Sequence, residues 1–252
     1  MDYKDINNKQ AFDKFKIGVL ENLSNYINDL ETNDYKKSVI LTYWLKDYTN
    51  YLKNESKFNP IYIPKFKRGS IVEINMGFNI GSEYGGVHYG IVLNKKDTKE
   101  NPNLTIIPMS SKNTNIHKTE VDLGNEFYNI VNQKIDLLST QCDNYIADLE
   151  SKLKILDMKD FNSLEDYNSF VNEIESKISL THIKVKELNK CRNKIIHLKQ
   201  GGIALISQIT TISKMRVKDP LNQKEPLYDI QLSNKTMEQI DKKITQLFIK
   251  EY

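Results

Sequence analysis

Two short stretches of the sequence bring together residue types able to move protons and hold charge. The first, Gly77 to Gly90 (GFNIGSEYGGVHYG), gathers five of the chain's ten glycines and sets His88 just ahead of the apolar run YGIVLN. An imidazole titrates near neutral pH, so a histidine at the lip of a loop is a candidate acid or base. The second stretch, Arg192-Asn-Lys-Ile-Ile-His197, pairs a permanent cation with an imidazole five residues on. On an unbroken helix those two side chains point about 140° apart. The glycines do not form a phosphate cradle of the usual kind, because no Gly-Lys-Ser/Thr follows them and no helix begins there. They read as a loop running from strand to strand.

The rest of the chain must position these residues. Its 252 residues suffice for one large or two small domains. The net charge of +3 is near neutral, so nucleic-acid binding cannot be read from the total. Only three arginines occur, Arg68, Arg192 and Arg216. Cys142 and Cys191 lie far apart without any C-x-x-C spacing, which argues against zinc and against a disulfide framework. No metal and no cofactor are expected. No signal-peptide pattern and no run of eighteen apolar residues occur, so the expectation is a soluble, cytoplasmic protein without a membrane partner.

Apolar residues at helical spacing predict a helix over 10–31 (Phe12, Phe15, Val19, Leu23, Tyr26, Ile27, Leu30). A second follows from an Asn33-Asp34 cap and carries Val39, Ile40, Tyr43, Trp44, Tyr48 and Leu52. Strands are expected at 69–76, 89–94, 103–109, 203–210 and 227–232, with a polar hairpin loop over KKDTKENP. Between the strand groups, 126–157 and 164–199 carry heptad-like seams and should form an antiparallel hairpin, with Ser163 capping the second helix. Ser233 or Asn234 caps a last helix bearing Met237, Ile240, Ile244, Leu247 and Phe248.

Set side by side, KRGSIVEINMGFNIGSEYGGVHYGIVLN, NLTIIPMSS and ALISQITTISKMRV resemble the PemK/MazF toxins, with three blocks in the family's order. The resemblance covers roughly 67–125 and 201–250 of the chain. It implies an α+β protein with a small SH3-like β-barrel over 65–125 and 201–252. An N-terminal helical hairpin (1–58), an inserted helical arm (126–200) and a C-terminal helix would be added to it. It further implies a homodimer, a cognate antitoxin as partner, and metal-independent cleavage of single-stranded RNA by attack of the ribose 2′-hydroxyl on the adjacent phosphate.

Carried over by position, the family's strand-end threonine falls on Ser110, its loop glutamate on Glu83, and its strand-start arginine on His88. The last is a departure. Histidine can act as acid or base but lacks arginine's two-donor phosphate clamp, so the alternative is an inactive barrel that binds RNA or protein through its helical arms. Ser110 would position the phosphate, and Glu83 would orient His88 or act as base. Lys67, Arg68, Lys95, Lys96, Lys112 and Lys118 form a candidate phosphate track beside the loop, each singly readable as a solvated charge. Tyr84 and Tyr89 are candidate base-stacking platforms, although a barrel tyrosine is more often core or rim. Arg216 is expected to pack the barrel end or the dimer interface, with RNA contact as the less favoured alternative. The Arg192–His197 spacing also fits the R-N-x-x-x-H pattern of HEPN ribonucleases. The plain reading there is an arginine paired with a carboxylate on the facing helix, and a histidine favoured at a helix C-terminus.

Overall fold

The computed structural model describes residues 5–111, 115–154, 161 and 163–250. The chain divides into two compact units, one of 1–58 with 76–86 and one of 59–75 with 87–252.

In the first unit, α1 (Lys9–Asn33) and α2 (Tyr35–Asn54) form the expected hairpin. The Asp34 carboxylate accepts a hydrogen bond from Lys37 N at 3.1 Å and starts the second helix. Packing concentrates near the turn, where Leu30, Ser38 and Leu41 are buried and Ser38 Oγ donates to Ile27 O at 3.2 Å. The expected apolar face is otherwise open to solvent, with Phe12, Phe15, Val19 and Tyr26 all exposed.

The second unit holds an antiparallel sheet and three helices. The strands are β1 (Ile71–Asn75), β2 (Val87–Val92), β3 (Asn103–Ser111), β4 (Glu120–Gly124), β5 (Gly202–Leu205), β6 (Thr210–Ser213) and β7 (Val217–Asp219). Their order is β4-β5-β3-β2-β1-β7, with β6 also on β3. β3 pairs with β2 along one edge and changes partner along the other, from β6 at Asn103–Ile106 to β5 at Met109–Ser111. Among the described residues no ladder joins β4 to β7, so the fold is an α+β protein with an antiparallel sheet that is not closed as the expected barrel would be.

Three sequence expectations are corrected. The strand over 203–210 is broken by a short 3-10 turn at Ile206–Gln208, giving β5 and β6. The strand over 227–232 is a buried turn after Pro226, with Asp229 at φ 59° and only a single bridge from Gln231 to Ser70. β4 was not expected, because five residues with only Val121 and Leu123 buried give a weak alternation.

Both faces of the central strands are buried. Ile71, Ile91, Ile107 and Met109 point one way and join Phe127, Val131, Ile206, Leu227 and Ile240 in the main core. Val72, Ile74, Val92, Leu104 and Ile106 point the other way and are also buried. Gly90 lies between Ile74 and Ile106, and a Cβ there would sit 3.0 and 3.2 Å from their Cδ1 atoms.

The inserted arm consists of α3 (Glu126–Lys154) and α4 (Leu164–Ile196), with Ser163 Oγ capping Asp166 N at 3.1 Å as its spacing predicts. Leu138, Cys142, Leu188 and Cys191 form its seam, and both cysteines are buried free thiols. The arm is tied to the sheet by charge. Lys194 Nζ lies 2.8 Å from Glu73 on β1 and 3.0 Å from Asp219 on β7. Lys134 donates to the carbonyls of Pro226 and Tyr228 at 3.0 and 2.8 Å. α5 (Asn234–Phe248) starts at a Ser233 cap and is joined to α3 by Glu126, which accepts from Ser233 N and Thr236 Oγ1.

Candidate active site

Strand register decides which of the candidate residues meet. The β2–β3 ladder pairs Gly90 with Pro108, Ile91 with Ile107 and Val92 with Ile106. The ladder ends at Gly90 and Pro108, and His88 and Ser110 each lie two residues further along their strands, on the side-chain parity of that pair. His88 is itself paired with Ile74 on β1, and Ile74 with Val217 on β7. The paired row therefore reads Val217, Ile74, His88 across β7, β1 and β2, with Ser110 on the next strand, β3. Both His88 and Ser110 are half-buried.

Arg216 stands at the β7 end of this row. Its Nε donates to Asn75 O at 2.7 Å, which fixes the guanidinium beside the last residue of β1. Adjacent strands lie about 4.8 Å apart, so Val217 and His88, two strands apart, are separated by about 10 Å. The sequence reading favours a packing role for Arg216 over RNA contact. The signal for more was its position in the third matched block, unusable until the β1–β7 pairing was known.

Tyr89 departs from its expected role. As the next residue along β2 it points to the opposite face, where its ring meets Phe127 edge-on at 5.0 Å and lies 5.4 Å from Lys194 Nζ. Burial pushes its phenol pKa up, and the charge of Lys194 only partly offsets this. It is a rim tyrosine of the core, on the face away from His88.

Glu83 and Tyr84 belong to the loop 76–86, whose neck is closed by backbone hydrogen bonds. Gly86 N donates to Gly77 O at 2.6 Å and Met76 N to Gly86 O at 2.8 Å, closing the loop's neck. Inside it, Glu83 accepts from Ile80 N at 3.3 Å, and Asn79 Nδ2 donates to Tyr84 O at 2.8 Å. Gly77 has φ +90°, and a Cβ there would lie 2.8 Å from the Trp44 ring. Trp44 in turn packs on Tyr48 with ring centroids 5.6 Å apart. Helix α2 thus presses an aromatic cluster onto the neck of the glycine loop.

Four members of the expected phosphate track lie away from His88. Lys67 and Arg68 precede β1, and Lys95 and Lys96 follow β2, so all four lie at the other end of the antiparallel pair. The step from His88 to Val92 alone spans about 13 Å at about 3.3 Å per residue. Arg68 is further engaged by Leu93 O and Asp241, and Lys67 lies 3.8 Å from Asp229. Lys112 lies outside the described residues. Arg192 and His197 are both exposed, and among the described residues Arg192 forms no ion pair, unlike the paired arginine expected. Among the described residues no group of three or more His, Cys, Asp or Glu side chains is arranged to hold a metal ion. None of the helices there is long and apolar enough to cross a membrane.

Comparison with known families now gives this geometry a context. Residues 67–166 match the family described as PemK-like, MazF-like toxin of type II toxin-antitoxin system. The match runs from β1 through α3 to the start of α4, further into the arm than the resembling blocks, and leaves out 201–252. No curated protein matches the chain.

Proposed function

From a chain whose residues 67–166 belong to that toxin family, with the toxin role and antitoxin partner the family implies, we propose an endoribonuclease acting on single-stranded RNA at the His88–Ser110–Arg216 end of the sheet. The observation that supports this reading is the β2–β3 ladder, beyond whose last pair, Gly90 and Pro108, His88 and Ser110 each lie two residues further along. In this reading the 2′-hydroxyl oxygen bonds to the adjacent phosphorus and the bond from phosphorus to the 5′-oxygen breaks. One product ends in a 2′,3′-cyclic phosphate and the other in a 5′-hydroxyl. His88 takes the 2′-hydroxyl proton or returns one to the departing 5′-oxygen, as imidazole can near neutral pH. Ser110 donates a hydrogen bond to a phosphate oxygen. Arg216 supplies the positive charge that the histidine at position 88 no longer carries permanently.

Glu83 is assigned to shaping its own loop rather than to proton transfer, because its carboxylate is turned to Ile80 N. Homodimerisation remains part of this proposal through the family resemblance. The test is cleavage of mixed-sequence single-stranded RNA in EDTA, with the products' ends identified. Removing a general acid or base costs about 10²–10⁴-fold in rate, and removing a charge-stabilising donor about 10²–10³-fold. His88→Ala and Arg216→Ala should lose activity on those scales, and Ser110→Ala less. Substituting the family's arginine, His88→Arg, separates the two possible uses of the position. Lost activity means that the imidazole moves protons, and retained activity means that it serves as a charge. Tight RNA association with the RNA recovered intact from wild type favours the non-catalytic binding module instead.

A further inference from the structure

At the end of the sheet away from His88, the second unit builds a cleft of about 910 Å3. Its walls are the segment 61–68 before β1, the β2–β3 connection at 95–99, and the turns at 222–229. Lys65, Lys67, Lys95, Lys96 and Lys99 all line it and are all exposed. Besides Asp97, Asp229 is the lining carboxylate, and Glu100 adjoins the lining at Lys99. Asp229 lies near Lys67. Glu100 has its pKa held below the usual range first by hydrogen bonds from its own backbone and Thr98, then by Lys65 and Lys99. Five lysines against these two carboxylates leave a positive excess.

A third carboxylate, Asp97, is engaged in building the cleft. Lys214 is fully buried, and its Nζ lies 2.8 Å from both Asp97 oxygens and 3.0 Å from Thr98 O. The same carboxylate accepts from Phe66 N at 3.0 Å, and the Phe66 ring lies 5.9 Å from Lys214 Nζ. One buried ion pair thus fixes both lysine-bearing segments, Lys65-Phe66-Lys67 and Lys95-Lys96-Asp97-Thr98-Lys99. Such a pair is a weak source of stability by itself, because desolvation offsets its attraction, but it holds a single geometry. Tyr62, 79% exposed, stands among the lining residues.

We propose that this cleft is a second RNA-binding site, holding the backbone of a single strand on its lysines and stacking one base on Tyr62. Lysines are compact charges with rotatable donors, suited to following a phosphate chain without reading sequence. An exposed aromatic ring beside such a track favours unpaired bases over a duplex. Because the site lies at the far end of the strands from His88, it would engage different nucleotides of the strand that is cut. Such tethering raises the local concentration of RNA at the row. Only this last role rests on the cleavage reading.

The experiment uses the full chain and a fluorescently labelled single-stranded RNA methylated at every 2′-oxygen, which cannot undergo 2′-hydroxyl attack. Binding is followed by polarisation across a salt series. Lys65→Gln/Lys95→Gln/Lys96→Gln should bind at least about tenfold more weakly, and its dependence of log affinity on log salt should flatten by about 2, near 0.7 for each lost phosphate contact. Tyr62→Ala should weaken binding about five- to tenfold while leaving that slope unchanged. Circular dichroism checks that both fold. Binding of the uncleavable RNA by the lysine variant reports on the cleft, and cleavage of unmodified RNA by His88→Ala reports on the row, so the two readings fail separately. Wild-type affinity and slope in the lysine variant overturn the proposal. So does equal competition by polyglutamate or by anionic vesicles, either of which would reassign the cleft to an acidic protein or a membrane surface.

Discussion

The two ends of the β1–β2 pair use charge in opposite ways. At the His88 end, an imidazole, a hydroxyl and a guanidinium stand on β2, on β3 and just before β7, with Arg216 bonded to Asn75 O. At the other end, several lysines are spread around a cleft whose walls are locked by the buried Lys214–Asp97 pair. Few groups in fixed rows suit chemistry, where placement governs rate. Many mobile cations on a fixed frame suit holding a polyanion. In the sequence the two sets are interleaved, with Lys67 and Lys95 on either side of His88. The antiparallel turn at 76–86 sends them to different ends.

The largest effect should come from breaking the lysine end's frame. Lys214→Ala leaves Asp97 buried without its counter-ion and should cost about 3–5 kcal/mol in denaturant unfolding. Lys214→Met, which keeps the apolar stem, tests whether the charge itself is responsible by combining it with Asp97→Asn. If that pair restores stability without restoring RNA affinity, the ion pair's value lies in geometry.

The Lys194 clamp that docks the arm offers the next test. Burial disfavours its ammonium charge, but the Glu73 hydrogen bond and the Asp219 charge outweigh this and hold its pKa above the ordinary 10.5 of a lysine. A folded pKa above the unfolded one gives stability that is fully present below about pH 10.5 and lost as the pH climbs through the folded value. Melting temperature should therefore fall through that alkaline window in wild type, and Lys194→Met should lack this component of the fall. Asp219 has its own pKa pushed up by burial, with Lys194 opposing.

A smaller effect is expected at the glycine loop. Gly77→Ala puts a Cβ into the Trp44 ring at a positive φ and should cost about 1–3 kcal/mol of local strain. Trp44 is the chain's single tryptophan, so its fluorescence reports the change directly. An unchanged spectrum would mean that α2 does not hold the neck. Smallest of all, Lys67→Ala should alter stability by about 1 kcal/mol or less, since its ion pair with Asp229 is solvent-exposed. Its effect should appear in RNA binding instead.

Much of the fold was legible because its signals are local. Helix periods and caps at Asp34, Ser163 and Ser233 foretold α2, α4 and α5. β4 and the turn at 227–232 were missed, because short strands and buried turns share the same apolar content and only long-range pairing separates them. The site was half legible. Motif order supplied His88 and Ser110, while the position of Arg216 depends on a bulged β1–β7 pairing that no local pattern encodes. Lys67, Arg68, Lys95 and Lys96 are near His88 in sequence but not in space, because β1 and β2 carry them to the other end of the pair.

The most direct test of the central claim is cleavage of single-stranded RNA in EDTA by wild type and His88→Ala, read as the initial rate of 2′,3′-cyclic phosphate formation. The account predicts cleavage by wild type and a loss of about 10²–10⁴-fold in the variant. No cleavage by wild type, or equal rates from the two proteins, would contradict it.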